Sequence, residues 1–226
     1  MPPAGVTDFK SPTAYATRGL IAVCVAIQLV MVLGGPAVSA AIGWDFGLIP
    51  LRITAALQGK AELVSALVSF VSYNFLHWDW MHLVINMAMI GLLGRDVEWR
   101  LGRTGFVLLF VLGGIIGGAA QVLAMPDSLS EIRGASGGGA AILAAYAMLF
   151  GKTKVADKRL LGLRVPGALL AGLWYAATWI LLQLASGLAF DSPGNALAIW
   201  SHIGGFLAGM ALARPLSHWL SRSLPQ

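Results

Sequence analysis

Apolar runs long enough to form helices alternate with short charged joints along most of this chain of 226 residues. Six runs stand out, at about 20–41, 81–94, 105–124, 135–150, 166–188 and 196–213. The charges gather in joints at 95–103, 127–133, 152–164 and 191–195. A membrane span takes roughly 20 apolar residues, fewer when its ends are buried in protein. The pattern therefore predicts an all-α membrane protein of six transmembrane helices. The stretch 43–80 breaks the rhythm. It carries Trp44, Pro50, Arg52, Lys60 and Glu62, then a short apolar piece, 63–76, interrupted by Ser65, Ser69, Ser72 and Asn74. It reads as a large interfacial or re-entrant first loop packed on the bundle, too short for a favoured seventh span. Residues 1–17, rich in Pro, Ala and Thr, read as a flexible cytosolic tail. Residues 18–214 read as one membrane domain and 215–226 as a short cytosolic C-terminal tail.

Composition agrees with this pattern. Apolar residues make up 58% of the chain and charged residues 11%, and the mean hydropathy is +0.77. A soluble globule carries about 25% charged residues. The 15 basic side chains exceed the 10 acidic ones, but they are not clustered with aromatics on polar elements, so no nucleic-acid partner is expected. Their distribution orients the bundle instead. With the N-terminus in the cytosol, 12 Lys and Arg residues fall on the cytosolic side, and only Arg52, Lys60 and Arg133 fall outside. This is a strong positive-inside bias, and it places both termini in the cytosol. The first run has a rival reading. Arg18, the apolar stretch 21–33 and Ala37-Val38-Ser39-Ala40 also have the order of a signal peptide and its cleavage site. The one cysteine, Cys24, excludes an intrachain disulfide framework and a cysteine metal site.

Polar groups within a span are costly and are functional candidates by default. Here they are His82 and Asn86 in the second run, with His77 at its mouth, Ser136 in the fourth, and Ser201 and His202 in the sixth. No carboxylate lies within any run. His82 stands 13 residues from Arg95, Ser136 stands 16 from Lys152, and His202 stands 12 from Arg214. At about 1.5 Å per residue these separations are roughly 20, 24 and 18 Å above the cytosolic boundary. In a core about 30 Å thick, three segments thus deliver polar groups to one depth in the outer half.

Serine is a poor nucleophile until a base takes its proton, and histidine is the usual base. A tetrahedral intermediate then needs donors aimed at its oxyanion. His82 and Asn86 are four residues apart and share a helix face. The start of the fourth helix offers free backbone N–H groups beside Ser136. With no carboxylate available, these residues point to a Ser–His dyad. Gly137, Gly138 and Gly139 follow the serine, and Gly205 and Gly209 follow His202. Small residues let membrane helices approach closely, so the fourth and sixth helices are expected to cross tightly and bring Ser136 to His202. The plainer readings are packing for Ser136, Ser201 and the glycines, and a contact with lipid head groups or with the loop for His77. The tryptophans at 44, 78, 80, 99 and 219 read as interfacial anchors, and 152–164 as a solvated loop.

The motifs resemble those of the rhomboid intramembrane serine proteases. His82-Leu83-Val84-Ile85-Asn86 has their HxxxN spacing. Gly134-Ala135-Ser136-Gly137 is similar to their GxSG, and the stretch from His202 through Gly205 to Gly209 to their HxxGxxxG. Glu98 and Gly102 are similar to the family's ExxxG. The resemblance covers about 44–213 and implies a six-helix rhomboid-like bundle. Such a bundle cleaves single-span membrane proteins in or near their transmembrane segment. It implies Ser136 as nucleophile and His202 as base. It places His82, Asn86, Gly134 and the Ser136 N–H around the oxyanion, with His77, Gly137, Glu98, Gly205 and Gly209 in support. Glu98 would tie the second helix to its loop. No metal or cofactor is implied. Membrane lipid is a further partner, and the bacterial inner membrane is the expected location. The fifth helix and the loop near 191–195 would be the mobile elements.

Two positions depart from the family. Ala140 stands where many members have an aromatic stacked on the base, so support for the His202 ring falls to Trp200 or Tyr146, or is looser. The first loop lacks a Trp-Arg dipeptide. The other functions weighed are a non-catalytic relative that binds single-span helices, and a small transporter using His82 and His202 as a proton relay.

Overall fold

The computed structural model describes residues 13–151, 156–160, 162–167, 169–170, 172–175, 177–178, 181 and 198–221. The first helix, α1 (Tyr15–Leu33), begins inside the stretch expected to be a tail. Its start is held by a distant carboxylate. Glu98 accepts hydrogen bonds from Ala16 N at 2.9 Å, Thr17 N at 2.8 Å and Thr17 Oγ1 at 2.7 Å. The first two are amide groups that a helix start otherwise leaves unpartnered. Glu98 thus ties its helix to α1, where the family resemblance implied a tie to its own loop.

The run expected at 20–41 is two helices. Gly35 lies at φ +79° and Pro36 follows it, ending α1 and opening α2 (Gly35–Phe46). A left-handed glycine breaks the path, and proline fits only the first turn of the helix that follows. The expected first loop is largely helical. It contains α3 (Pro50–Leu57), α4 (Leu63–Ser72) and a single 3-10 turn, Tyr73–Phe75. The Glu62 side chain caps α4 by accepting from Ser65 N. Leu48 and Ile132 exchange two backbone hydrogen bonds, pinning this segment to the approach to Ser136.

Two of the expected spans form one element, α5 (Trp80–Ala124), with a sharp break at Gly102. The expected joint at 95–103 is helical up to that break. Gly102 adopts φ 68° and ψ 171°, outside the helical region. Gly94 and Phe106 would stand about 18 Å apart along a straight helix. Instead a Cβ on Gly94 would meet the Phe106 ring at 3.1 Å, so the chain doubles back.

Helix α6 (Ser136–Phe150) is the centre of the bundle, with every residue from Ser136 to Ala145 buried. Successive helical residues point about 100° apart, and its three glycines each meet different neighbours. A Cβ on Gly137 would meet Ser201 and Tyr73, one on Gly138 would meet Phe110, and one on Gly139 would meet Met89. The last helix, α7 (Ile199–Ser221), runs through Pro215 into the expected C-terminal tail. Two arms of α5, with α6 and α7, enclose a core that includes Leu83, Ile90, Val97, Phe106, Leu109 and Ile142.

The loop expected at 152–164 contains a small hairpin, β1 (Lys158–Leu160) with β2 (Leu163–Val165), where Arg159 faces Arg164. Described residues between 167 and 181 are helical. Residues 182–197 lie outside the described residues, and with them the rest of the expected fifth span and the joint at 191–195. Among the described residues two helices, α1 and α5, are long and apolar enough to cross a membrane.

Candidate active site

Three helices begin at one place. His82 is the third residue of α5, Ser136 the first of α6 and His202 the fourth of α7. The helix starts bring these side chains together, and the positive ends of the helix dipoles point at the same spot. Asp79 caps α5, accepting from His82 N at 2.7 Å. Ser136 Oγ lies 2.7 Å from His202 Nε2, and both residues are 5% exposed. Among the described residues no carboxylate is hydrogen-bonded to His202.

Glycines make that approach possible. A Cβ on Gly205, one turn after His202, would run into the Gly137 carbonyl. A Cβ on Gly209 would run into the Ala141 backbone. The second arm of α5 joins the same crossing, since a Cβ on Gly117 would lie 2.5 Å from the Ser201 carbonyl oxygen.

The turn into Ser136 is also built on glycine. Gly134 lies at φ +146°, which a side chain rarely adopts. A Cβ there would sit 3.0 Å from His82 Nε2 and 3.5 Å from Ser136 Oγ. Imidazole edge and hydroxyl therefore flank one small gap. Gly134 offers no donor to it, because its N–H bonds the Tyr73 carbonyl at 3.0 Å. Its contribution is the missing side chain, which leaves the gap between His82 and Ser136 open. Asn86 is fully buried, and its amide donates to the His82 carbonyl at 3.0 Å. At the start of α6 the Ala135 carbonyl takes Gly139 N, so the N–H groups of Ser136 and Gly137 have no carbonyl one turn back.

His77 is fully buried. Its ring meets His82 edge to face, with centroids 5.2 Å apart, and its Nε2 lies 3.5 Å from Ala135 N. Burial, with His82 adding to it, pushes the His77 imidazole down to about 3. It is therefore neutral and able to accept from Ala135. Trp78 is not a free anchor, because Arg133 lies over its ring at 4.2 Å. Arg133 also pairs with Glu131 and packs across Gly43, which fastens the residues just before Ser136 to α2. Neither suggested support for the base is observed. Tyr146 packs on Phe150 and Tyr175, and Trp200 is 46% exposed. Among the described residues no aromatic ring is paired with His202.

Sequence reasoning missed two participants, Tyr73 and Gln121. The Tyr73 hydroxyl donates to the Gly114 carbonyl at 2.8 Å and lies 3.1 Å from Ser201 Oγ. Gln121 Oε1 accepts from Ser201 N at 3.3 Å. A lone glutamine in the apolar run 105–124 was a usable signal. Tyr73 stood in a serine-rich stretch that gave none.

These features define an apolar helical bundle closed around a buried Ser–His pair. The family model of the Rhomboid domain matches residues 64–219, more than half of the chain, and the chain belongs to the rhomboid family. It is 26% identical over 205 residues to the Rhomboid protease GlpG of Yersinia pestis (strain Pestoides F). It is 27% identical over 205 residues to the Rhomboid protease GlpG of Serratia proteamaculans (strain 568). Each alignment takes in 90% of this chain and 63% of the relative, so the chain spans less than two thirds of their length.

Proposed function

We propose that this protein is an intramembrane serine endopeptidase that cleaves single-span membrane proteins in or near their transmembrane segment. The observation that carries the reading is the 2.7 Å contact of Ser136 Oγ with His202 Nε2, buried where three helices begin. In this reading His202 takes the hydroxyl proton as Oγ attacks the scissile carbonyl, then returns it to the leaving amine. Water attacks the acyl-enzyme in the second half. The oxyanion forms beside the start of α6, where the Ser136 N–H and the helix dipole stabilise it. His82 faces the same gap and donates from its ring. Asn86 supports His82 through its carbonyl and holds a second amide hydrogen for the oxyanion. The apolar walls keep bulk water from the pair, which strengthens each of these interactions.

The likeness to relatives named as proteases supports the reaction class, and the charge bias supports cytosolic termini in a bacterial inner membrane. Purified protein in liposomes, given a tagged single-span substrate, tests the reading. Ser136→Ala and His202→Ala each lower kcat by about 10⁴-fold or more with helix content unchanged. A fluorophosphonate labels the active protein at Ser136. Cleavage that persists in Ser136→Ala sinks the proposal.

A further inference from the structure

Tyr73 reaches both halves of the dyad without touching either reacting atom. It is 1% exposed and sits in the 3-10 turn that ends the segment before α5. Its backbone carbonyl accepts from Gly134 N at 3.0 Å, two residues before the serine. Its hydroxyl works on the other side. A phenol has a single proton, and here that proton goes to the Gly114 carbonyl at 2.8 Å. Ser201 must therefore donate across the 3.1 Å contact to the Tyr73 oxygen. Ser201 directly precedes His202, and its own N–H is held by Gln121 at 3.3 Å. The first turn of α7 thus hangs from Tyr73 and the second arm of α5. A Cβ on Gly137 would lie 2.8 Å from both Tyr73 Oη and Ser201 Oγ, so the hydroxyl pair also abuts the residue after the serine.

We propose that Tyr73 is a positioning residue for the reaction, setting the approach of His202 to Ser136 through a Ser201-to-Tyr73-to-Gly114 hydrogen-bond chain. The proposal rests on the proteolytic reading above. Packing alone would hold the helices near each other. It would not fix the rotation of the first turn of α7, because the glycine surfaces at Gly205 and Gly137 are smooth. A directional chain does fix it, and a misplacement of about 1 Å at a reacting pair costs on the order of a hundredfold in rate.

The test uses the full chain in liposomes, with Tyr73→Phe, Ser201→Ala and the double variant. Tyr73→Phe removes one oxygen and keeps the ring. Expected is a fall in kcat of roughly tenfold to a hundredfold with KM within about twofold of the unsubstituted protein. The rate of fluorophosphonate labelling at Ser136 falls in the same proportion. The double variant loses no more than the worse single, because both changes cut one chain. Unchanged kcat and labelling in Tyr73→Phe overturn the proposal, as do losses that multiply in the double variant. So do losses that follow the thermal midpoint, since those mark a merely structural role. Failure of the unsubstituted protein to cleave or to label at Ser136 instead defeats the proteolytic reading, and Tyr73 as a positioning residue falls with it.

Discussion

Replacing Gly205 by alanine tests how closely the helix crossing controls the dyad. The new methyl would strike the Gly137 carbonyl, lying 2.9 Å from its carbon and 3.3 Å from Gly137 Cα. Carbon atoms rest at about 3.5–4.0 Å, so the two backbones must part by about 1 Å. Gly205 is one turn from His202, and Gly137 adjoins Ser136. The same shift therefore opens the 2.7 Å contact between Ser136 Oγ and His202 Nε2, to roughly 3.7 Å, beyond hydrogen-bond range. Overpacking costs about 1–3 kcal/mol, and alanine returns about 1 kcal/mol of helix propensity. Stability thus changes by about 2 kcal/mol at most, while a 1 Å misplacement lowers kcat on the order of a hundredfold. The assay pairs cleavage of a single-span substrate with thermal unfolding of the same preparation. Gly91→Ala is the control. Its Cβ meets only Ile21 Cδ1, at 3.6 Å, so activity is retained. A Gly205→Ala protein with kcat within about twofold of the unsubstituted chain refutes the claim that this crossing sets the dyad.

Two further outcomes test the supports around the site. Glu98→Gln keeps the shape but removes the charge that accepts from Ala16 and Thr17. Hydrogen bonds to a charged group contribute about 1.5–3 kcal/mol, so a loss of about 2 kcal/mol is expected by thermal unfolding; equal stability would contradict the capping role. His77 gives a pH signature. Its imidazole lies near 3 when folded against 6.5 when free. The unfolded chain therefore binds the extra proton first as pH falls, and the stability linked to His77 is complete above pH 6.5 and declines toward pH 3. The decline reaches about 1.4 kcal/mol per pH unit. His77→Gln should flatten the slope of thermal midpoint against pH, and identical slopes would exclude a neutral buried imidazole.

The polar residues that converge were visible in the chain because apolar runs isolate them. Ser136, His202, His82 and Asn86 stood out against lipid-like surroundings, and helix rise brought three of them to one depth. Gln121 is as isolated as Asn86, but no histidine or serine stands near it in its run to mark it as chemistry. Tyr73 and Arg133 carried no comparable signal, because polar residues are ordinary in the segments they occupy. Their importance comes from contacts 40 or more residues away, such as Tyr73 with Ser201. Helix boundaries were less legible. Pro36 and Pro215 show why: one opens a helix and the other is carried inside one. Only packing against neighbours separates these outcomes.

Hydropathy by itself marked the chain as an apolar helical membrane bundle, and the charge bias supplied an expected orientation for it. Motif spacing supplied a candidate serine and its base. These are local properties, written in periods of a few residues and in counts along the chain. The tertiary structure decided the rest. It turned the Gly134 N–H toward Tyr73 rather than toward the gap. It sent Glu98 to the start of α1 and buried His77 beside His82. Each outcome depends on which surface a side chain meets after the helices dock. That is set by close contacts between glycine faces far apart in sequence, where a single methyl decides how near two backbones can come.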